Sequence, residues 1–146
     1  MTDYIKYNIS SFKIHFQYPE WWDDKIEHGD TYLFWDKYTG SFRITPTTIY
    51  SQNFSIDQFL QSKFKEYAEK NPTWKIYNNR KYLYYEDYSK VNQGLNKLHF
   101  YITGQENILL TCSFAYNKEL LEDKYSKDEV EGALEEVDNI LNSLTI

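Results

Sequence analysis

One cysteine, one methionine, three prolines and five glycines among 146 residues leave this chain few covalent or conformational staples. Cys112 has no second cysteine to pair with, so no intramolecular disulfide framework is possible. No apolar run approaches the roughly 18 residues of a membrane-crossing helix, the longest aliphatic stretch being Ile108-Leu109-Leu110, so no membrane span is expected. Residues Met1 to Asn8 contain no apolar core of the kind a secretory signal needs, which makes a reducing, cytoplasmic setting the simplest expectation. Neither Gly-x-Ser-x-Gly nor a glycine-rich phosphate loop occurs, which excludes the motif-based routes to serine hydrolysis and nucleotide binding. His15, His28 and His99 have no ligand-like spacing, so no metal, no cofactor and no enzymatic activity are expected, and each histidine is read as a surface residue. There is also no basic stripe, which argues against nucleic-acid partners.

What the chain does have is aromatic side chains, 19% of the sequence, including fifteen tyrosines. Tyrosine supplies apolar area and a hydroxyl that seeks water or a partner, so the core should be aromatic and amphipathic. The net charge of -6 is local. Between Lys118 and Asp138 lie nine acids and three lysines, and the rest of the chain balances thirteen acids with thirteen bases.

Periodicity divides the chain into nine elements. Phe12 to Tyr18 alternates apolar and polar residues and ends at Pro19, the pattern of a half-buried strand. The acidic stretch Trp21 to Asp30 reads as an irregular, solvated loop; Ile26 stands where a calcium-binding EF-hand loop needs an oxygen ligand. Tyr32 to Trp35 and Phe42 to Thr45 form a hairpin. Ser55 with Gln58 makes a capping box, and Ile56, Phe59, Leu60, Phe64 and Tyr67 follow on one helical face until Asn71-Pro72. Strands are predicted at 74–77, 81–88, 97–103 and 108–116, with turns at Asn78-Asn79 and Asn92-Gln93-Gly94; Gly29, Gly40, Gly94 and Gly104 are read as turn glycines. Ser126 with Glu129 makes a second capping box, ahead of the stripe Val130, Ala133, Leu134, Val137, Leu141 and Leu144. The order β-β-β-α-β-β-β-β-α over residues 1–146 predicts one α+β domain: an antiparallel sheet of six to seven strands flanked by two helices.

Two phrases carry a family likeness. Phe12-x-Ile14-x-Phe16-x-Tyr18-Pro19-x-x-Trp22 resembles the opening strand of PsbP-like domains, the superfamily that includes the Ran-release factors. Ile140-Leu141-Asn142-Ser143-Leu144 resembles the close of their last helix, and Phe54 to Leu60, opening the central helix, sits where that fold places one. The chain looks most like the bacterial members without assigned function. The resemblance implies a central antiparallel sheet with helices on its faces and a binding role without catalysis. Photosynthetic members are exported, whereas no export signal is read here, and no metal ligand or GTPase contact of those families finds a matching position.

Two surfaces are candidates for a partner. The hairpin places Trp35, Tyr38 and Arg43 together, near Trp21 and Trp22, the residue types enriched at binding hot spots. Its ordinary alternative is that Trp35 is core and Arg43 pairs with a surface carboxylate. The last helix carries Glu131, Glu135 and Asp138 outward, flanked by Glu136 and by Gly132, beyond what the helix dipole at its start explains. Plain solubility would also account for them. The expectation is a cytoplasmic binding or adaptor domain for a protein with a basic surface, of which an immunity-type protein neutralising a basic toxin is one form. The alternative is a small-ligand protein or enzyme with a cleft near Trp22, Trp35 and Arg43. Cys112, on the inward face of its strand, is read as an inert buried thiol.

Overall fold

The computed structural model describes residues 3–27, 29–36, 38–91 and 94–146. His28, Lys37 and the Asn92-Gln93 part of the anticipated turn lie outside them.

Seven antiparallel strands form the main sheet, in the order β3 (Asp23–Ile26), β4 (Tyr32–Trp35), β5 (Gly40–Thr48), β9 (Ile108–Asn117), β8 (Gly94–Gln105), β7 (Arg80–Val91) and β6 (Thr73–Tyr77). A separate two-stranded hairpin joins β1 (Tyr4–Ile9) to β2 (Ile14–Pro19). Alternation along β9 sends Leu110, Cys112, Phe114 and Tyr116 to one face, paired across the sheet with Phe42 and Ile44 of β5. That face is closed by the β1–β2 hairpin and by the inner side of α2 (Lys124–Ser143), through Val130, Ala133, Val137, Ile140 and Leu141. The opposite face carries Leu83, Tyr85 and Ile102, covered by Leu60 of α1 (Ile56–Glu66), with Ile56, Phe59, Phe64 and Tyr67 around it. The result is the anticipated α+β sandwich, a sheet with a helix on each face.

The two phrases of family likeness have a packing reason. Ile14, Phe16, Tyr18 and Trp22 are all buried in the larger core. Ile140, Leu141 and Leu144 are buried too, and Ser143 ties the helix end to β2: its hydroxyl accepts from Gln17 N at 2.9 Å and donates to Ile140 O at 2.7 Å.

Several boundaries differ from the sequence reading. β1 and β3 were not anticipated: β1 buries only Ile9, and all of β3 is exposed, so neither shows the alternation that burial writes into a sequence. The stretch read as a solvated acidic loop is therefore, from Asp23 to Ile26, an edge strand. The first half-buried strand begins at Ile14 because Ser10–Phe12 make a 3-10 turn closed by Lys13 at φ 55°. Helix α2 is capped by Asp123 rather than Ser126; the Asp123 carboxylate accepts from both Ser126 N and Ser126 Oγ, one turn ahead of the expected box. The Asn78-Asn79 hairpin has both residues at positive φ, 52° and 62°, as anticipated.

Gly40 and Gly104 are not turn residues. They lie inside β5 and β8, where a Cβ would press on the carbonyls of Ala115 and Ile108. At Gly104 it would also meet Ile56 Cδ1 at 2.7 Å, so the missing side chain is what lets α1 seat on the sheet.

Gly104→Ala is expected to destabilise by about 1–3 kcal/mol through overpacking against fixed backbone. Tyr82, fully buried with its hydroxyl lacking a hydrogen-bond partner, should behave oppositely. Tyr82→Phe is expected to leave stability unchanged or raise it by about 1 kcal/mol, because an unpaired buried hydroxyl only costs desolvation. Urea unfolding midpoints of the two variants check both signs.

Candidate functional site

Pro19 ends β2 and the chain turns at once, with Trp22 N donating to Pro19 O at 3.0 Å. The turn drives the Trp22 indole into the core, 3% exposed and stacked on Phe114 at 6.4 Å between ring centroids. Trp21, its neighbour, is left half exposed. Opposite this turn runs the outer side of α2. Between them opens a cleft of about 360 Å3, lined by Trp21, Trp22, Asp36 and Ala133, and by Asp128, Glu129, Gly132, Glu135 and Glu136. Helical geometry explains the grouping: positions 128, 132 and 135, with 129 and 136 beside them, share one side of α2. A Cβ on Gly132 would meet nothing within 4 Å, so the middle of that side is open space.

Five carboxylates thus converge on one cleft, and none forms an ion pair among the described residues. Glu136 Oε2 accepts from the Tyr4 hydroxyl at 2.9 Å, and Asp36 Oδ1 accepts from Tyr38 N at 2.9 Å. Both keep capacity for further donors. Trp22 Nε1 and Thr39 Oγ1 are buried beside this region without hydrogen-bond partners among the described residues. A second depression, about 500 Å3, adjoins through the shared Glu129 and is lined by Tyr38, Leu120, Tyr125 and Ser126. Tyr38 is 80% and Tyr125 73% exposed. Exposed rings beside unpaired acids form one continuous surface. Among the described residues, no group of three or more His, Cys, Asp or Glu is arranged to hold a metal ion.

The fold joins some of the candidate residues and separates others. Trp21, Trp22, Tyr38 and Glu135 meet at this surface, bringing the aromatic hairpin and the acidic helix together. Glu131 is exposed but does not line the cleft, and Asp138, on the same flank, accepts from the Tyr77 hydroxyl at 2.7 Å. Trp35 and Arg43 are on the wrong face. Each alternates with core residues (Phe34, Phe42, Ile44), so their side chains leave the sheet toward the α1 side while Trp22 sits on the α2 side. Arg43 Nε pairs with Glu27 at 2.7 Å, and no described cleft brings Trp22, Trp35 and Arg43 together. Among the described residues, the fold therefore sets Trp35 and Arg43 apart from Trp22, against the small-ligand cleft that the sequence suggested around those three.

One polar cluster went unseen. His15 is exposed, as expected of a surface histidine, but His99 is 5% exposed. β8 is covered on both faces, so its apolar set (Leu98, Phe100, Ile102) turns toward α1 and its polar set (Lys97, His99, Tyr101) turns into the other core. Tyr84 gives its single hydroxyl proton to Glu86 Oε2 at 2.9 Å, so His99 Nδ1, 2.6 Å away, carries a proton and donates to the Tyr84 oxygen. His99 Nε2 is then the acceptor for the Tyr116 hydroxyl at 3.0 Å. Lys97 Nζ completes the chain at Glu86 Oε1, 2.9 Å. Burial is the main cause that pushes the His99 pKa down to about 4, with Lys97 and Lys75 adding to it against the pull of Glu86. Cys112 is fully buried, and burial raises its pKa far above the range of a reactive thiol.

A family model described as "Domain of unknown function (DUF3805)" matches residues 3–143, and the chain belongs to that family. No curated protein matches the sequence. A crystal structure from Bacteroides thetaiotaomicron VPI-5482 is similar over 90% of this chain and 44% of its own, with TM-score 0.69 and 21% identity. The chain therefore spans less than half the length of that protein. The solution structure of cyanobacterial PsbP (CyanoP) from Synechocystis sp. PCC 6803 is similar over 100% of this chain and 94% of its own, with TM-score 0.61 and 12% identity. The PsbP-like likeness read from the opening strand and closing helix is thus the fold of this chain. No helix among the described residues is long and apolar enough to cross a membrane.

The His99 chain makes stability depend on pH in a definite direction. Its folded pKa lies below the ordinary 6.5, so the unfolded state binds a proton first as pH falls. Stability should hold above pH 6.5 and fall between 6.5 and about 4, by at most about 1.4 kcal/mol per pH unit from this group. Urea midpoints from pH 7.5 to 4.5 should show a shallower loss for His99→Gln than for the wild type.

Proposed function

We propose that this chain is a protein-binding domain whose partner inserts an arginine- or lysine-bearing segment into the cleft between α2 and the Pro19–Trp22 turn. The observation that carries the reading is the convergence of Asp36, Asp128, Glu129, Glu135 and Glu136, unpaired among the described residues, around the open face of Gly132 and the half-exposed Trp21. Acids that served solubility alone would be spread and interleaved with lysines. Here they surround a concavity, at the cost of mutual repulsion that a cation would relieve.

Arginine suits the cleft better than a compact ammonium. Its planar head can stack on the Trp21 indole and donate to two carboxylates at once. The exposed rings of Tyr38 and Tyr125 beyond Glu129 extend the surface for flanking apolar residues. Neutralising a basic protein, as an immunity-type partner does, is one biological form of this activity.

A hexa-arginine peptide, titrated while tryptophan fluorescence is followed, tests the reading. Binding is expected with a marked salt dependence. Glu129→Lys/Glu135→Lys should weaken it by about two orders of magnitude, given several kcal/mol for removing and reversing close charges. Gly132→Leu, which fills the cleft without changing charge, should weaken it about tenfold or more, whereas Glu131→Lys, outside the cleft, should change it less than threefold. Equal effects of the Glu131 and Glu129/Glu135 changes, or none from Gly132→Leu, would mean that bulk acidity and not this cleft attracts the peptide.

A further inference from the structure

We infer that the free edge of β7 pairs with the same edge of a second copy of this chain, joining two sheets about a two-fold axis at Tyr88. β6 covers only the first part of β7, its last register position being Thr73 opposite Tyr84. The preceding Asn71 is at φ 51° and Pro72 has no N–H, so the chain leaves the edge there. β7 continues to Val91, paired on its inner side with β8 throughout. Among the described residues, 85–91 therefore have no strand on their outer side, and a groove of about 560 Å3 runs along this edge from Asn71 and Thr73 to Tyr88.

The edge has a defined polarity. Tyr88 N donates to the Asp87 carboxylate at 2.8 Å and not to β8, so Tyr88 turns its backbone groups outward. The β7–β8 register is unbroken, so Glu86, Tyr88 and Lys90 all present outward groups, and residues 85, 87 and 89 bond inward. The 3-10 turn Ala68–Lys70 forms one wall of this groove. It reaches β7 from the α1 side, through Lys70 over the Tyr85 ring and Lys70 Nζ on Asp87 at 2.7 Å.

Symmetry and charge select one register. A two-fold antiparallel pairing must set outward residues against outward residues. Centring on Glu86 or Lys90 opposes like charges, centring on Asp87 opposes two aspartates, and centring on Ser89 forms no opposite-charge pair and shortens the overlap to residues 87–91. Centring on Tyr88 sets Glu86 against Lys90 of the second copy, twice by symmetry, and Tyr88 against itself, 51% exposed in the single chain. Opposite charges and aromatic pairs directly across strands are the favourable combinations. The overlap then runs from 85 to 91 on both copies, the whole of the free edge. An unrelated extended peptide would satisfy the same backbone groups, but it would not profit from this internal complementarity.

The test is the solution state of the full chain, by sedimentation and by cross-linking. A concentration-dependent dimer is expected. Lys90→Glu should raise its dissociation constant roughly tenfold, since two attractive cross-strand pairs become repulsive. Tyr88→Cys should form an intermolecular disulfide under mild oxidation, because a hydrogen-bonded antiparallel pair sets Cα atoms about 5.5 Å apart. Lys90→Cys, displaced from the axis, should not. A monomer at all concentrations, or a dimer in which Lys90→Cys cross-links as readily as Tyr88→Cys, overturns the inference. Native Cys112 is fully buried and does not confuse the readout.

Discussion

Val130, Ala133, Val137, Ile140 and Leu141 of α2 are each less than 5% exposed, and they close the sheet face opposite α1. The rest of the molecule depends on that contact. A helix has two sides, and when one is wholly consumed by apolar burial the other must hold whatever the core cannot accept. In this chain the outer side holds acids at 128, 129, 135 and 136, and the Pro19–Trp22 turn stands opposite them. The same docking that buries the stripe builds the cleft, so the cleft and the core are two consequences of one packing event.

Tyrosine makes the arrangement workable. Tyr77, Tyr82, Tyr101 and Tyr116 fill the larger core at contact distances of 5–6 Å, with edge-on or tilted geometry. Their hydroxyls have to end somewhere. Tyr77 finds Asp138 and Tyr116 finds His99, while Tyr82 finds nothing. A buried histidine is costly without partners, and His99 keeps two because Tyr84 and Tyr116 flank it on neighbouring strands. Asp138, read from the sequence as an outward acid of the last helix, uses part of its acceptor capacity on the Tyr77 hydroxyl.

The sheet's two edges are managed differently. β3 is four residues long, fully exposed and rich in charge, the usual way of making an edge unattractive to another strand. β7 is twelve residues long and loses its neighbour halfway. The divergence traces to Asn71 and Pro72, which precede β6, so that it begins only at Thr73 and leaves the later part of β7 uncovered.

Much of this was legible in the residues alone, wherever burial on one side imposed a period. The stripes of α1 and α2, the alternation of β9, the Asn78-Asn79 hairpin and the opening and closing phrases all read directly, because each is a local pattern answering to one buried face. β1 and β3 did not read, since they bury almost nothing. His99 did not, since a strand covered on both sides has no outward face for a polar residue to mark. The acids of α2 were visible as a charge excess, but their division was not. Which of them face Trp21 and which face Tyr77 depends on how the helix is rotated against a sheet whose strands lie far away in the chain. Trp22 and Arg43 likewise sit close in sequence yet on opposite faces, because strand alternation and the turn after Pro19 decide direction independently of proximity. Element type is a property of neighbouring residues, and a site is a property of the packed layers; only the tertiary structure could gather the second from the first.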